Sequence, residues 1–385
     1  MTELDALLAS REMVLVAGSG GVGKTTIAAA MGIAAAERQK GKVLVLTVDP
    51  ARRLAQALGL QEFGNTPVRI APRAFADAGI KVRGQLWVAM LDTKAGWDEL
   101  IARHAPDDET QDAILANPLY QNITSRFVRS HDYLAMEQLH DLHATGDYDL
   151  VVVDTPPSRN ALSILDAPSR MAEFFGSRLL RWLTVPYRSR LFTVASRPFY
   201  QVADRVLGSH FLEDIADFFV LFQAMERGFV KRARQVEKLL VDPRTSFVIA
   251  TTLETAPSHE ARFLAEELVR RRMSLGAIVT NRVLPERLAD PAASVSAAAL
   301  LERADGPLAT DVATELGADE RVVGSVLRHI ASRFDDLALS AARESDRRTE
   351  LEVLAPALLT VPWMTDDIHD LDGLARIAGY LRAMP

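Results

Sequence analysis

Short, continuous runs of apolar residues recur along this chain, and longer segments of helical character separate most of them. Continuous apolar runs are typical of parallel β-strands that are covered on both faces of a sheet. Their alternation with helices predicts an α/β fold built on a doubly wound, mostly parallel sheet. The runs occupy residues 14–17, 43–48, 86–91, 150–153, 247–250 and 277–279.

The sequence changes character between residues 160 and 240. Nine of the fifteen phenylalanines lie between Phe174 and Phe229. We interpret this stretch as an inserted α-helical subdomain at 160–240, which separates residues 1–159 from residues 241–385, the latter with a polar helical segment at about 305–348. One set of apolar side chains recurs at alternating spacings of four and three, which places it on one helical stripe. The set consists of Phe211, Ile215, Phe218, Phe222, Met225 and Phe229.

Two interpretations of this insertion stay open. The apolar stripe is either part of a core or the wall of a groove for an apolar helix. Five arginines lie in a span without acidic residues, which indicates either a solvated face or a surface for anionic lipid or an acidic partner. These arginines are Arg178, Arg181, Arg188, Arg190 and Arg197.

Composition narrows the classes of partner. The chain has 385 residues and 48% hydrophobic content, enough for one large α/β core with an insertion. A net charge of -7 argues against general affinity for nucleic acid, so we expect no nucleic-acid partner. There is no cysteine, which excludes disulfides and thiolate ligands. Residues 1–10 lack the basic and apolar pattern of a signal peptide, and no apolar run is long enough to span a bilayer. We therefore expect a cytoplasmic protein. Peripheral contact with a membrane stays open.

A glycine-rich turn joins the first apolar run to the helix that follows. Residues 18–25 match G-x-x-x-x-G-K-[ST] completely. Glycines let successive backbone N–H groups close around phosphate oxygens, and the helix N-terminus adds its positive dipole end. We expect Lys24 to reach the β- and γ-phosphates and the Thr25 hydroxyl to ligate Mg²⁺. The predicted phosphate site comprises Gly20, Gly21, Val22, Gly23, Lys24, Thr25 and Thr26.

Two aspartates follow buried strands, where ligands of such sheets bind. Asp154 directly follows the run at 150–153, which is the place of a Walker B carboxylate that holds Mg²⁺ directly or through water. The alternative is that Asp154 caps the next helix. Asp49 follows the run at 43–48 and is a candidate to polarise the attacking water; a turn before Pro50 is the alternative.

Five segments, in this order, resemble the ArsA-type anion-transporting ATPases and their relatives that target tail-anchored membrane proteins. They are residues 20–26 (Walker A), 48–51 (switch I), 154–158 (switch II), 278–283 (the segment whose Asn reads adenine) and 361–363 (the late loop on the base). The resemblance implies ATP and Mg²⁺ as cofactors, with two protomers facing each other across the nucleotides. It also implies that Asp49 and Lys24 serve hydrolysis, and that Asn281 and Pro362 contact the base.

The chain also departs from the family pattern. Ser19 stands where the family has a signature Lys that crosses the dimer to the partner's phosphates, and Arg52, Arg53 and Arg159 replace other motif residues. The missing cysteines remove the arsenite-binding thiols and the zinc-bridging pair of the relatives.

The sequence therefore favours a Mg²⁺-dependent, dimeric ATPase switch that couples nucleotide state to a helical subdomain for a hydrophobic client or a membrane partner. The dimer is either a homodimer or a heterodimer with a related ATPase. An alternative is a nucleotide-binding adaptor with little turnover, active only beside a relative that retains the signature Lys. A pump subunit on a membrane channel is a third hypothesis, which the absent thiols disfavour.

Overall fold

The structure is a computed structural model that describes residues 1–39, 41–47, 58, 64–90, 93–117, 120, 130–155, 166, 173 and 226–383. Asp49, the three motif arginines and the five arginines of the insertion lie outside the described residues, as does the apolar stripe apart from the backbone at 229. The inserted helical subdomain at 160–240 and its boundaries stay a prediction.

Eight strands form one central sheet. They are β1 (Met13–Ala17), β2 (Lys42–Thr47), β3 (Val68–Arg69), β4 (Gln85–Met90), β5 (Leu150–Asp154), β6 (Thr245–Thr251), β7 (Leu275–Val283) and β8 (Leu358–Pro362). Their order is β3-β4-β2-β5-β1-β6-β7-β8. Every neighbouring pair is parallel except the short β3–β4 pair. All the predicted strands are present, and β3 and β8 are additional.

Helices connect the strands and cover both faces of the sheet. They are α1 (Glu3–Ala9), α2 (Lys24–Arg38), α3 (Pro72–Asp77), α4 (Thr93–His104), α5 (Asp108–Ala116), α6 (Ser130–Ala144), α7 (Glu226–Leu240), α8 (Thr255–Arg270), α9 (Pro291–Arg303), α10 (Pro307–Leu316), α11 (Glu320–Glu352) and α12 (Leu371–Arg382). Within the part of the chain that the structure describes, no helix combines the length and apolar character of a bilayer-spanning segment.

The two faces of the sheet build two cores. Successive residues of a strand point to opposite faces, so Val14 and Val16 of β1 join a core with α1, α2 and α12, whereas Met13 and Leu15 join a core with α6, α7, α8 and α11. Because both faces are covered, β1 is buried at every position. The prediction of a doubly wound, mostly parallel α/β fold is confirmed.

Strand β1 lies between β5 and β6, which are far apart in sequence. The chain leaves the sheet at the carboxyl end of β5 and returns through α7, whose Val236 and Leu240 are buried in the second core. The carboxyl end of β5, from which this connection starts, lies next to β1. Parallel sheets of this kind bind ligands at that edge.

Helices α9, α10 and α11, which we call the helical arm, lie in sequence between β7 and β8. Helix α11 is 33 residues long, and α9 and α10 pack along it. Ala309 and Ala313 of α10 contact Val323 near the start of α11. Val312 and Leu327 pack against the same cluster, so α10 and α11 share a small apolar core of their own.

Arg382 joins α12 to the first two helices. Its Nε atom donates to Asp5 Oδ1 at 3.1 Å, and its other guanidinium nitrogens donate to Glu37 and to the Ala34 carbonyl. The side chains of Arg382 and Asp5 are 15% and 8% exposed. A charged group with so little access to water is costly without its partners.

We expect Arg382→Ala to lower the free energy of unfolding by about 2–3 kcal/mol, because it leaves two carboxylates without their shared cation. Arg376→Ala in the same helix is the matched control, since the Arg376–Asp372 pair is 50% and 65% exposed and contributes little. Urea titration measures both variants. Equal stability of the two variants would contradict the role of Arg382.

Candidate functional site

The glycine-rich turn at 18–23 connects β1 to α2 in a conformation that depends on glycine. Gly18 has φ +152°, and a Cβ atom there would stand 2.1 Å from the Ala250 carbonyl oxygen of β6. Gly23 has φ +94°, and a Cβ atom there would stand 2.4 Å from Asn281 Nδ2. The turn approaches the backbone of β6 and the side chain of Asn281 so closely that a larger residue has no room at either position.

Positive charge and the N-terminal end of a helix meet at the start of α2. Lys24 is buried, and its Nζ atom donates to the Ser19 carbonyl oxygen across the turn at 2.9 Å. Gly23 caps α2 without a side-chain hydrogen bond, and the first turn has no acidic residue. The start of the helix therefore combines the positive end of its dipole with a buried lysine, which fits an anion such as phosphate.

Asp154 is the point where three segments meet. Its buried Oδ2 atom accepts hydrogen bonds from Thr25 Oγ1 at 2.5 Å and from Thr47 Oγ1 at 2.9 Å. The strand register explains the arrangement, because Asp154 lies beside Thr47 of β2 and Val16 of β1. A hydroxyl and a carboxylate side by side are hard oxygen ligands of the kind that Mg²⁺ accepts together with phosphate oxygens and water.

Thr47 is a site residue that sequence reasoning missed. It lies inside the apolar run at 43–48 and is the last residue of β2, so the only available signal was a hydroxyl within a run of apolar residues. No group of three or more His, Cys, Asp or Glu side chains among the described residues is arranged to hold a metal ion.

Asn281 approaches the glycine-rich turn from β7. Its Nδ2 atom donates to the Val22 carbonyl oxygen at 2.8 Å, and its Oδ1 atom accepts from the Arg282 amide at 2.9 Å. The β7–β8 register shifts between Thr280 and Val283, and Arg282 adopts φ +59°. An irregularity of this kind re-aims a side chain, here toward the turn.

The remaining predicted residues fall into two groups. Pro362, the last residue of β8, pairs with Val283, and the amide of the exposed Trp363 donates to the Val283 carbonyl oxygen at 2.9 Å. Thr26 belongs to the first turn of α2. Gly20 and Gly21 are exposed on the turn. The structure thus brings the predicted phosphate residues, Asp154 and Asn281 together.

Comparison with known families identifies this arrangement. The profile of the anion-transporting ATPases matches residues 11–303, which include the turn, β5, β6 and β7. The chain belongs to this family. The match confirms the resemblance drawn from the sequence motifs. It ends within the helical arm, so α10, α11 and β8 lie beyond it.

Relatives in this family are distant. An uncharacterised protein of Streptomyces coelicolor, SCO2128, is 30% identical over 278 residues, which cover 71% of this chain and 63% of that protein. The match is thus shorter than two thirds of that relative. An ATPase ASNA1 homolog of Entamoeba dispar is 24% identical over 275 residues, 71% of this chain and 76% of the relative. ATPase GET3 of Malassezia globosa is 24% identical over 275 residues, 71% and 73% of the two chains.

We expect Thr47→Val to lower the free energy of unfolding by about 1–2 kcal/mol, because it removes a donor from the buried Asp154 carboxylate. Thr245→Val is the matched control at a buried strand position. The Thr245 hydroxyl is buried and has no hydrogen-bond partner among the described residues, so its removal should cost nothing or stabilise the fold. Chemical denaturation without nucleotide distinguishes the two variants. A loss of the same size at both positions would contradict the role of Thr47.

Proposed function

We propose that this chain is a Mg²⁺-dependent ATPase whose nucleotide state switches its conformation. The observation that carries the proposal is the hydrogen-bonded set formed by Thr25, Asp154 and Thr47 beside the glycine-rich turn. Membership of the family supports ATP as the nucleotide. The set places a hydroxyl and a carboxylate next to a turn that suits a phosphate chain.

In this proposal each part of the site has one task. The N–H groups of residues 20–26 and the Lys24 ammonium bind the phosphates, and Lys24 leaves the Ser19 carbonyl for a phosphate oxygen. A bound Mg²⁺ would neutralise charge on the phosphates, held by Thr25 and, directly or through water, by Asp154. Thr47 holds the Asp154 carboxylate in place. Asp49, outside the described residues, is assigned the task of positioning the attacking water.

The base side of the site is assigned to Asn281 and Pro362. Asn281 lies near the end of β7, Pro362 ends the neighbouring β8, and Asn281 contacts the turn. We further propose that two protomers face each other across the nucleotides in the cytoplasm, and that ATP binding and hydrolysis reposition the segment at 160–240. A hydrophobic client or a membrane surface is the proposed partner of that segment.

Two substitutions separate binding from hydrolysis. Lys24→Ala should weaken ATP binding by more than about tenfold, because it removes the cation of the turn. Asp49→Asn should leave affinity within about twofold and slow turnover by about a hundredfold or more, because a positioned base contributes about 10²–10⁴. Calorimetry and phosphate release measure the two effects. The exposed Lys81→Ala is the control, and unchanged ATP affinity in Lys24→Ala would refute the site.

Ser19 supports a second candidate function, an adaptor that binds nucleotide with little turnover unless a relative with the signature Lys pairs with it. Ser19 offers its carbonyl to Lys24, and its hydroxyl is buried without a hydrogen-bond partner among the described residues. A serine cannot reach across a dimer interface as a lysine does. A cation supplied across an interface contributes about 10³–10⁵ to turnover in related phosphoryl transfers.

Ser19→Lys should therefore raise the turnover of the isolated protein by about tenfold or more. Ser19→Met is the matched control, because methionine has a similar length and no charge. Steady-state hydrolysis at saturating ATP measures both. If wild type already turns over as fast as the lysine variant, the missing cation is irrelevant, and Arg52, Arg53 or Arg159 becomes the better candidate.

A further inference from the structure

The last turns of α11 lie against the carboxyl ends of β6 and β7. Two nitrogens of the Arg347 guanidinium donate to the Leu253 carbonyl oxygen at 2.7 Å and to Thr255 Oγ1 at 2.8 Å. Leu253 is buried just after β6, and Thr255 is the first residue of α8. Leu351, one turn further on, is buried in the core under the sheet. Arg347 therefore holds the connection between β6 and α8 to an anchored part of α11.

Glu344 makes the corresponding contact with β7. Its Oε2 atom accepts a hydrogen bond from the Leu284 amide at 3.0 Å. Leu284 directly follows β7, so its N–H group has left the ladder and needs an acceptor from elsewhere. Burial raises the pKa of Glu344, while the Leu284 amide and the Arg347 charge oppose that rise. The half-buried side chain of Glu344 therefore satisfies a backbone donor that has no partner in the strand ladder.

These contacts continue to the glycine-rich turn. Val283, next to Leu284, accepts from the Trp363 amide at 2.9 Å and so holds the end of β8. Asn281 donates to the Val22 carbonyl oxygen at 2.8 Å. Between them lies Arg282, with its left-handed backbone. The strand end that carries Asn281 is irregular, so its position depends on the groups that surround it.

We propose that Glu344 and Arg347 are positioning residues for the base side of the nucleotide site. They fix the ends of β6 and β7, and Glu344 thereby keeps Asn281 and the β8 end in register with the glycine-rich turn. Neither residue touches the glycine-rich turn or Asp154; Glu344 acts through the Leu284 amide, and Arg347 acts through the Leu253 carbonyl and the Thr255 hydroxyl. The inference rests on the proposed function, in which Asn281 and Pro362 contact the base, and it gives a role to a helix that lies outside the family match.

The same turn of α11 makes another contact, which should not affect the position of Asn281. Arg348 pairs with Glu286, whose side chain is 81% exposed, whereas Arg348 is 23% exposed. An ion pair with one partner in water contributes little and holds no backbone group. Arg348→Ala is therefore the matched control for the neighbouring positions.

The test compares the affinities for ATP and inosine triphosphate, which differ only in the base. Glu344→Met keeps the length of the side chain and removes the acceptor, whereas Glu344→Gln keeps a carbonyl acceptor without the charge. Thr255→Val removes one acceptor of Arg347 with little change in shape. Calorimetry in Mg²⁺ gives both affinities, and melting without nucleotide reports the fold of each variant.

We expect the preference of wild type for ATP over inosine triphosphate to fall by about three- to tenfold in Glu344→Met, and less in Thr255→Val. Glu344→Gln and Arg348→Ala should retain it. If wild type shows no preference, if Glu344→Met keeps it, or if both affinities fall in parallel, the inference is overturned. If Glu344→Met does not fold, Thr255→Val decides: a retained preference there overturns the inference. If wild type binds neither nucleotide, the proposed function itself is refuted, and this result is distinct from a failure of the positioning role alone.

Discussion

The structure of the site depends on one buried carboxylate that receives two hydroxyl hydrogen bonds. Asp154, at the end of β5, joins the start of α2 and the end of β2, whose Thr25 and Thr47 lie 129 and 107 residues before it in the sequence. A buried charge is stable only when polar groups surround it. The three segments are therefore bound to one geometry, and the helix end that faces the phosphate position is held by the sheet.

A second constraint comes from the close approach of the glycine-rich turn to its neighbours. Gly18 lies against β6 and Gly23 lies against Asn281 of β7, in both cases without room for a Cβ atom. The turn is thus enclosed on one side by β6 and β7, which come late in the sequence. This enclosure makes the site a product of both halves of the chain, because neither half alone supplies β1, β6 and β7 together.

The sequence predicted the elements that a short stretch of residues identifies by itself. It missed the elements and residues whose role depends on parts of the chain that are distant in sequence. The buried strands were predicted because a strand covered on both faces needs a continuous apolar run. Strand β8 lacks that signal, since its buried and half-buried positions alternate and it ends in Pro362. The phosphate residues are contiguous and were found together. Thr47 and Glu344 were missed, because each has a role only through a partner that folding brings near.

The length of α11 has a mechanical consequence. The helix is anchored near Glu344 and Leu351, and about 24 residues extend from Glu344 to its first turn, a distance of about 36 Å at 1.5 Å per residue. A tilt of about 5° at the anchored end would displace the far end by about 3 Å. The anchored end of α11 lies beside the strand ends at which we propose that the base binds. A small rearrangement of these strand ends would therefore become a displacement of several ångströms at the far end of the helical arm.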